Sequence, residues 1–170
     1  MKKALSVSAL LGSSLLSMGA SNALAQDECV LTIAPGAVIA AESTDDFIVI
    51  EQGCKIDARG TAEAPIIMTH TSDVDGTLSD PENATGLWGG LVINGFAPIN
   101  DCPAGNIDGG TAACTKEGEV GSGVFGGDKP DDNSGVLQYV VVKYAGSNVN
   151  NQEQLNGIAF QGVGYNTVVD

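Results

Sequence analysis

The chain has 170 residues, of which 21 are acidic and only 7 are basic, and its net charge at neutral pH is −14. This charge argues against nucleic acids and anionic lipid surfaces as partners, because binding to phosphate requires lysine and arginine. It permits cationic partners, although the simplest role of such a charge is solubility. Beyond the N-terminus no segment approaches the ~20 apolar residues of a membrane helix, so we expect no membrane-spanning segment.

The N-terminus has the pattern of a secretory signal peptide over residues 1–25. Met1, Lys2 and Lys3 form a positive region, residues 4–19 form an apolar region, and Ala23-Leu24-Ala25 is an A-x-A cleavage site. The alternative is a membrane anchor, but the apolar run is short, rich in Ser and followed directly by the cleavage site. We therefore predict export from a bacterium-like cell and cleavage after Ala25. The mature protein then lies in the periplasm, at the outer membrane or outside the cell.

Residues 26–170 have the pattern of one all-β domain. No segment of helical length keeps apolar residues at helical spacing without a Gly or Pro, whereas short β-rich runs recur. Each run ends in Gly, Asn, Asp or Pro, which favour turns. The predicted strands, in chain order, are 30–33, 47–50, 66–69, 91–93, 136–144, 158–160 and 167–169.

A repeated pattern predicts how these strands are arranged. Ile33 and Ile50 each begin the sequence Ile-x-x-Gly-x-x-Ile, and Ile93 begins a looser copy with its Gly one place early. A strand, a Gly corner and another short strand are what a parallel β-solenoid needs, with the apolar residues pointing inward. Since one coil cannot bury its own apolar face, the copies should stack about 4.8 Å apart.

Two polar inserts interrupt the strands, and each contains a candidate calcium loop. Residues 72–86 include Asp73 and Asp75, and residues 100–135, which we expect to be structureless, include a second group. Calcium takes six to eight oxygen ligands, although solvated turn residues are the simpler interpretation. We predict no other cofactor. The second group of candidate calcium ligands consists of Asp128, Asp131, Asp132 and Asn133.

The four cysteines, all in the exported part, predict two disulfides. Cys102 and Cys114 flank a short polar stretch, so a local bridge there is the natural choice, and Cys29 is left to pair with Cys54. A zinc site is the rival interpretation. We predict no metal site at the cysteines, because the chain has no C-x-x-C motif and His70 is its single histidine.

Four segments together resemble a family of exported bacterial right-handed parallel β-helix repeat proteins. The segments are residues 60–71, 86–95, 133–140 and 144–146. Members are mostly uncharacterised secreted or outer-membrane-associated proteins, and they usually continue through several more coils. The resemblance implies a right-handed parallel β-helix with polar loop insertions. It also implies that residues 26–170 are the N-terminal piece of a longer solenoid, whose open last coil would favour self-association.

The sequence favours a non-enzymatic scaffold or binding protein, with any binding through the 100–135 insert and a glycan or another cell-surface protein as partner. Lyase chemistry on uronates needs clustered cations, and the basic residues after the leader are scattered. Hydrolase chemistry needs converging carboxylates, and the adjacent pair Asp131-Asp132 is no evidence of that. We expect Trp88 to fill the core or a corner, with sugar stacking as the alternative. The main rival function is a carbohydrate-active enzyme whose catalytic coils lie beyond residue 170.

Overall fold

The computed structural model describes residues 4–7, 29–103, 108–148 and 153–170. In these residues almost all regular structure is β-strand, with one short helix, α1 (Thr71–Val74), and one 3₁₀ turn at Glu119–Gly121. The strands are β1 (Ala4–Val7), β2 (Val30–Ile33), β3 (Val38–Ala41), β4 (Phe47–Ile50), β5 (Lys55–Arg59), β6 (Ile66–His70), β7 (Gly90–Asn94), β8 (Lys116–Glu117), β9 (Val124–Phe125), β10 (Gly135–Gln138), β11 (Val140–Val142), β12 (Ile158–Gln161) and β13 (Val168–Val169).

Eleven of the strands form three parallel sheets that make the faces of a β-helix. Sheet A has the order β1-β4-β7-β12, sheet B the order β13-β10-β5-β2, and sheet C the order β11-β6-β3. Each coil contributes one strand to each sheet in turn, so β2-β3-β4 is the first complete coil, β5-β6-β7 the second and β10-β11-β12 the third. The all-β parallel solenoid predicted from the sequence is therefore confirmed.

The Ile-x-x-Gly-x-x-Ile pattern marks corners between sheets. Ala37 N donates to Ala34 O at 3.1 Å, and Cys54 N donates to Glu51 O at 3.0 Å, which closes a four-residue turn at each corner. Gly36 and Gly53 hold the third position with φ of 75° and 82°, the type II geometry that favours glycine.

The prediction that successive copies of this pattern stack on one another is wrong for the first two. Ile33 ends a strand of sheet B and stacks on Ala58, whereas Ile50 ends a strand of sheet A and stacks on Ile93. The two copies are thus different corners of the same coil. Only the second and third copies lie in register, and at the third the chain leaves the coil for an insertion.

The interior of the coils is a continuous apolar core. Inward-facing residues stack in register, for example Ile48 on Leu91 and Ile50 on Ile93 in sheet A, and Ile39 on Met68 in sheet C. Full burial of one such side chain contributes about 1.5–3 kcal/mol, so the stacked rows stabilise neighbouring coils against each other. Trp88 belongs to this core with 2% of its surface exposed, and its Nε1 donates to Lys143 O at 2.8 Å. It therefore fills the core, as expected.

The outer face of sheet A is buried as well, which is why all four residues of β4 are buried. Phe47, Val49 and Val92 form a second cluster with Leu155, against which Val120 packs. Val120 comes from the insertion at residues 95–134, between β7 and β10. The insertion is not structureless, since it contains the antiparallel hairpin β8–β9 and the 3₁₀ turn.

The single strand predicted over residues 136–144 is also wrong, because the chain turns from sheet B to sheet C inside it. β10 ends at Gln138, β11 begins at Val140, and Tyr139 between them has a φ of 47°. The carbonyl oxygens of Gln138 and Tyr139 accept from Gly60 N and Ile66 N of the coil below. These two hydrogen bonds stabilise the corner, although its central residue is a tyrosine, a residue type that rarely takes positive φ.

Strand β1 lies within the predicted signal peptide. It pairs in parallel with β4, with Ala4 opposite Phe47 and Val7 opposite Ile50. Cleavage after Ala25, which lies outside the described residues, would remove this strand and leave the edge of β4 without it. Among the described residues, no helix is long and apolar enough to cross a membrane.

Candidate ligand-binding groove

The insertion is attached to the coils through backbone hydrogen bonds near its two ends. Ala97 N donates to Gly162 O at 2.7 Å, and Tyr165 N donates to Pro130 O at 3.0 Å. The side chain of Gln52, at the corner after β4, donates to both Gly95 O and Gly126 O at 2.8 Å. The insertion therefore has a fixed position against the second and third coils.

A groove of about 740 Å³ lies between the insertion and the end of β12. Phe125 of the hairpin and Phe160 of the third coil are among its lining residues. Phe160 stacks on the inward-facing Ile93, and it is 44% exposed because β12 is the edge strand of sheet A. Polar groups lie beside these rings, including a contact between Lys116 Nζ and Asp101 Oδ2. The remaining polar side chains of the groove are those of Asn100 and Gln161.

A smaller cavity of about 200 Å³ adjoins the groove, and Lys116, Phe125 and Gln161 line both spaces. Its floor is the outer face of sheet A, to which Val92 of β7 and Ala159 and Gln161 of β12 contribute. Asn94 Nδ2 donates to Ser122 O at 2.6 Å, so the floor is tied to the 3₁₀ turn of the insertion. Groove and cavity are neighbouring concave spaces lined by aromatic and polar side chains, a combination typical of small-molecule sites.

A second polar cluster joins sheet C to the 72–86 loop. Lys143 Nζ donates to Asp73 Oδ2 at 2.6 Å, and Thr69 Oγ1 donates to the same oxygen at 2.8 Å. The hydrogen bond from Lys143 lowers the pKa of Asp73, with that from Thr69 acting in the same direction, and the bond to Asp73 raises the pKa of Lys143. This cluster is an ion pair with its charges satisfied, so it holds the loop in place.

The structure joins the cysteines in the pairs that the sequence suggested. Cys29 is bonded to Cys54, and Cys102 is bonded to Cys114. The first bridge lies at the core and links the starts of two stacked strands, since Lys55 N also donates to Cys29 O at 2.8 Å. The second closes the part of the insertion that forms one wall of the groove.

Three of the side chains suggested for calcium, those of Asp73, Asp132 and Asn133, have protein partners. Asp132 Oδ2 accepts from Ser134 Oγ at 2.9 Å, and Asn133 Oδ1 accepts from Gly135 N at 2.9 Å, as expected of turn residues. Asp73 is engaged by Lys143. Across the described residues, no three His, Cys, Asp or Glu side chains lie together in a way that would hold a metal ion. Structural calcium remains a prediction.

His70, Arg59 and Lys129, which were also considered for chemistry, do not line the groove. His70 is the last residue of β6, where Nδ1 accepts from Ser72 N at 3.2 Å and caps α1. Arg59 pairs with its neighbour Asp57 at 2.6 Å, and Lys129 lies 4.6 Å from the centre of the Phe96 ring. The basic side chains are thus dispersed over the described surface, as their spacing in the sequence suggested.

Sequence reasoning found the insertion but missed the residues that line the groove. Phe125 and Phe160 belong to strands that are neither adjacent in sequence nor paired, and only the fold brings them together. The alternation in Ile158-Ala159-Phe160-Gln161 was the available signal. This alternation predicts that Gln161 lies on the outer face of sheet A, where the insertion packs.

One family model, described as a pectate-lyase-like beta helix domain, matches residues 16–170. No match was found among curated proteins or among solved structures. The matched region contains all three complete coils and the insertion, so the stacked parallel sheets and the family match agree. The chain belongs to the pectate-lyase-like beta helix domain family.

Proposed function

We propose that this protein is an exported, non-enzymatic β-helix protein that binds a neutral glycan in the groove between the insertion and the third coil. The observation that carries the proposal is that Phe125 and Phe160 both line the groove together with its polar side chains. Sugars stack their apolar C–H faces on aromatic rings while hydroxyl groups bond to polar neighbours. The family's description, which likens it to a lyase acting on a polysaccharide, supports a carbohydrate ligand.

The charge of the chain favours a neutral glycan over a uronate. The net charge is −14, and Lys116, the basic side chain in the groove, already contacts Asp101. A polyanion would meet repulsion without a cluster of cations to offset it. For the same reason we assign no lyase activity to the groove.

Binding is tested by calorimetric titration with cellohexaose, xylohexaose and oligogalacturonate. The neutral oligosaccharides should bind and the uronate should bind more weakly. Phe160→Ala should weaken neutral binding at least about tenfold, because a ring contributes roughly 1–3 kcal/mol of stacking and packing. Tyr165→Ala is the matched control, since Tyr165 is exposed but lies outside the groove. Preferred binding of the uronate, or an unchanged affinity of Phe160→Ala, would contradict the proposal.

Export and the enzymatic alternative have direct tests. The two disulfide bonds support an oxidising compartment. N-terminal sequencing of the exported protein should begin at Gln26, and a retained Met1 in that fraction would count against export by cleavage.

The family match favours a carbohydrate-active enzyme as the second candidate. Release of reducing ends from any polysaccharide of the panel would establish that candidate instead.

A further inference from the structure

The chain contains two Asn-Gly pairs, and the fold places them in opposite surroundings. They are Asn94-Gly95, at the end of β7, and Asn156-Gly157, directly before β12. Asparagine followed by glycine is readily deamidated, because glycine has no side chain to hinder attack by its backbone nitrogen on the asparagine amide. Both pairs have the same local sequence for this reaction, so a difference in their reactivity comes from the fold.

The Asn94-Gly95 pair is protected in three ways. Asn94 is buried, with 0% of its surface exposed. Its Nδ2, the atom that deamidation removes, donates to Ser122 O at 2.6 Å. Gly95 N, the atom that attacks, donates to Gln161 O at 2.8 Å. Reaction at this pair therefore requires a local opening of sheet A that breaks both hydrogen bonds.

The Asn156-Gly157 pair has none of these protections. Asn156 is exposed, and no described residue forms a hydrogen bond with its side chain. Gly157 N likewise has no hydrogen-bond partner among the described residues. The space beside Gly157 is open as well, since a Cβ atom built on it would lie 3.9 Å from its nearest neighbour, Ala145 Cβ. The attacking nitrogen and the amide are thus free to approach each other.

We propose that Asn156 is a modification site, at which deamidation converts Asn156-Gly157 into an isoaspartyl or aspartyl linkage while Asn94-Gly95 stays intact. Gly157 N attacks Asn156 Cγ, and the side-chain NH₂ leaves as ammonia with the proton of Gly157 N, which closes a succinimide ring. Water then opens the ring. Opening at the main-chain carbonyl gives isoaspartate, and opening at the side-chain carbonyl gives aspartate. Either product carries one more negative charge than the original pair.

The isoaspartyl product affects the fold through β12, because it lengthens the main chain by one atom directly before this strand. Gly157 O accepts from Leu91 N at 3.1 Å, a bond that aligns the start of β12 with β7. The extra atom has little room, since a Cβ atom on Gly90 would lie 2.6 Å from Asn156 O. The hydrogen bond to Leu91 should therefore weaken. This inference does not depend on the glycan proposal.

The test incubates the folded protein at mildly alkaline pH and follows both pairs by peptide mass spectrometry with fragmentation. Asn156 should convert at least about tenfold faster than Asn94, because reaction at Asn94 must first break two hydrogen bonds. After reduction and unfolding in guanidinium chloride, the two pairs should convert at similar rates, since each is followed by glycine. Equal rates in the folded protein would overturn the inference. So would an Asn156 that stays intact in the folded protein under conditions in which the unfolded chain reacts.

Variants at the pair check the chemistry. Gly157→Ala should slow the conversion several-fold, because its methyl group hinders the attack, and the open space beside Gly157 accommodates that group. Asn156→Gln should abolish it at this position, because the longer side chain would have to close a six-membered ring. Thermal melting confirms that both variants are folded. Conversion of Gly157→Ala at the wild-type rate would exclude attack by this nitrogen, and the comparison of folded with unfolded wild type needs no variant.

Hydrogen exchange at the Leu91 amide tests the consequence for β12. Exchange should be faster in the isoaspartyl fraction, separated by ion-exchange chromatography, than in the unmodified protein. The freshly purified Asn156→Asp variant is the matched control, because it carries the added charge without the extra main-chain atom and should leave the exchange unchanged. Equal exchange in the isoaspartyl fraction and the unmodified protein would contradict the effect on β12.

Discussion

Gln52 links the first coil to the insertion with a single side chain. Both hydrogens of its amide are used, one on Gly95 O and one on Gly126 O, each at 2.8 Å. Both carbonyl groups belong to the insertion, and Gly95 O also accepts from Gly126 N. A corner residue of one coil thereby fixes one wall of the groove.

Gln52→Leu should lower the free energy of unfolding by about 1–3 kcal/mol, because the buried Gly126 O loses its side-chain donor, whereas Gly95 O keeps its bond from Gly126 N. Urea denaturation of the purified variant measures this. Gln138→Leu is the control, since Gln138 Nε2 makes one exposed bond of 3.3 Å to Asp170, and it should cost under about 0.5 kcal/mol. Equal losses for the two variants would show that Gln52 does not fix the insertion.

Lys143 and Asp73 form an ion pair whose contribution to stability depends on pH. The Asp73 pKa is lowered from 3.8 by its hydrogen bond from Lys143, so the contribution of Asp73 is present above 3.8 and is lost as pH falls through the lowered value. The Lys143 pKa is raised from 10.5 by its bond to Asp73. Its contribution is therefore present below 10.5 and is lost as pH rises through the raised value.

Lys143→Met should cost about 0.2–1 kcal/mol at neutral pH, the range of a pair that is still in contact with solvent. The difference between variant and wild type should shrink at about pH 2, where Asp73 is protonated in both. Urea melts at both pH values measure it. Arg59→Met provides the comparison, because its pair with Asp57 is more exposed and should contribute nothing measurable. A difference that persists undiminished in acid would exclude the charge as its cause.

At the scale of the element, most strands of the coils and both corners could be predicted from the sequence, whereas the structure inside the insertion could not. Strands β2 and β4 lie at the predicted residues, and the glycines of both predicted corners have positive φ, because each depends on a few adjacent residues. The hairpin β8–β9 was missed because its strands are two residues long and one of them is Lys-Glu. The break at Tyr139 was missed because no local signal marks a tyrosine for positive φ. The groove depends on contacts between distant segments and was beyond local reasoning.

The Cys102–Cys114 bridge should hold the groove wall, and the Cys29–Cys54 bridge should hold the coils. Replacing Cys102 and Cys114 by Ala should weaken glycan binding while the three sheets persist. The double substitution removes a disulfide, which typically adds about 2–4 kcal/mol to the free energy of unfolding. Here that constraint acts on the insertion. The Cys29/Cys54 double variant is the comparison, and it should lower the melting temperature more than it affects binding. Non-reducing peptide mapping checks the pairing, and a peptide linking 54 to 102 or 29 to 114 would refute it.

At the scale of the whole molecule, apolar edges oppose a large net charge. Among the described strands, β11, β12 and β13 each end a sheet, and Ile158, Phe160 and Val169 are exposed there. Unpaired edges favour pairing with another chain, whereas a net charge of −14 keeps copies apart. The balance between the two effects depends on ionic strength.

Self-association should therefore increase with salt. Raising sodium chloride to about 1 M reduces the screening length to about 3 Å and removes most of the repulsion between copies. Sedimentation velocity at several concentrations should show larger species in high salt. Val169→Lys should suppress them, since an edge charge blocks strand pairing. A monomer under all these conditions would mean that the edges are covered.

The claim that the groove is the binding site is tested most directly by NMR mapping of amide shifts on titration with cellohexaose. The account predicts that the shifted amides cluster at residues 99–101, at Lys116 and Phe125, and at residues 160–163, with none at β3 on the opposite sheet. Phe160→Ala should remove these shifts. Shifts confined to sheets B and C, or none at saturating oligosaccharide, would contradict the account.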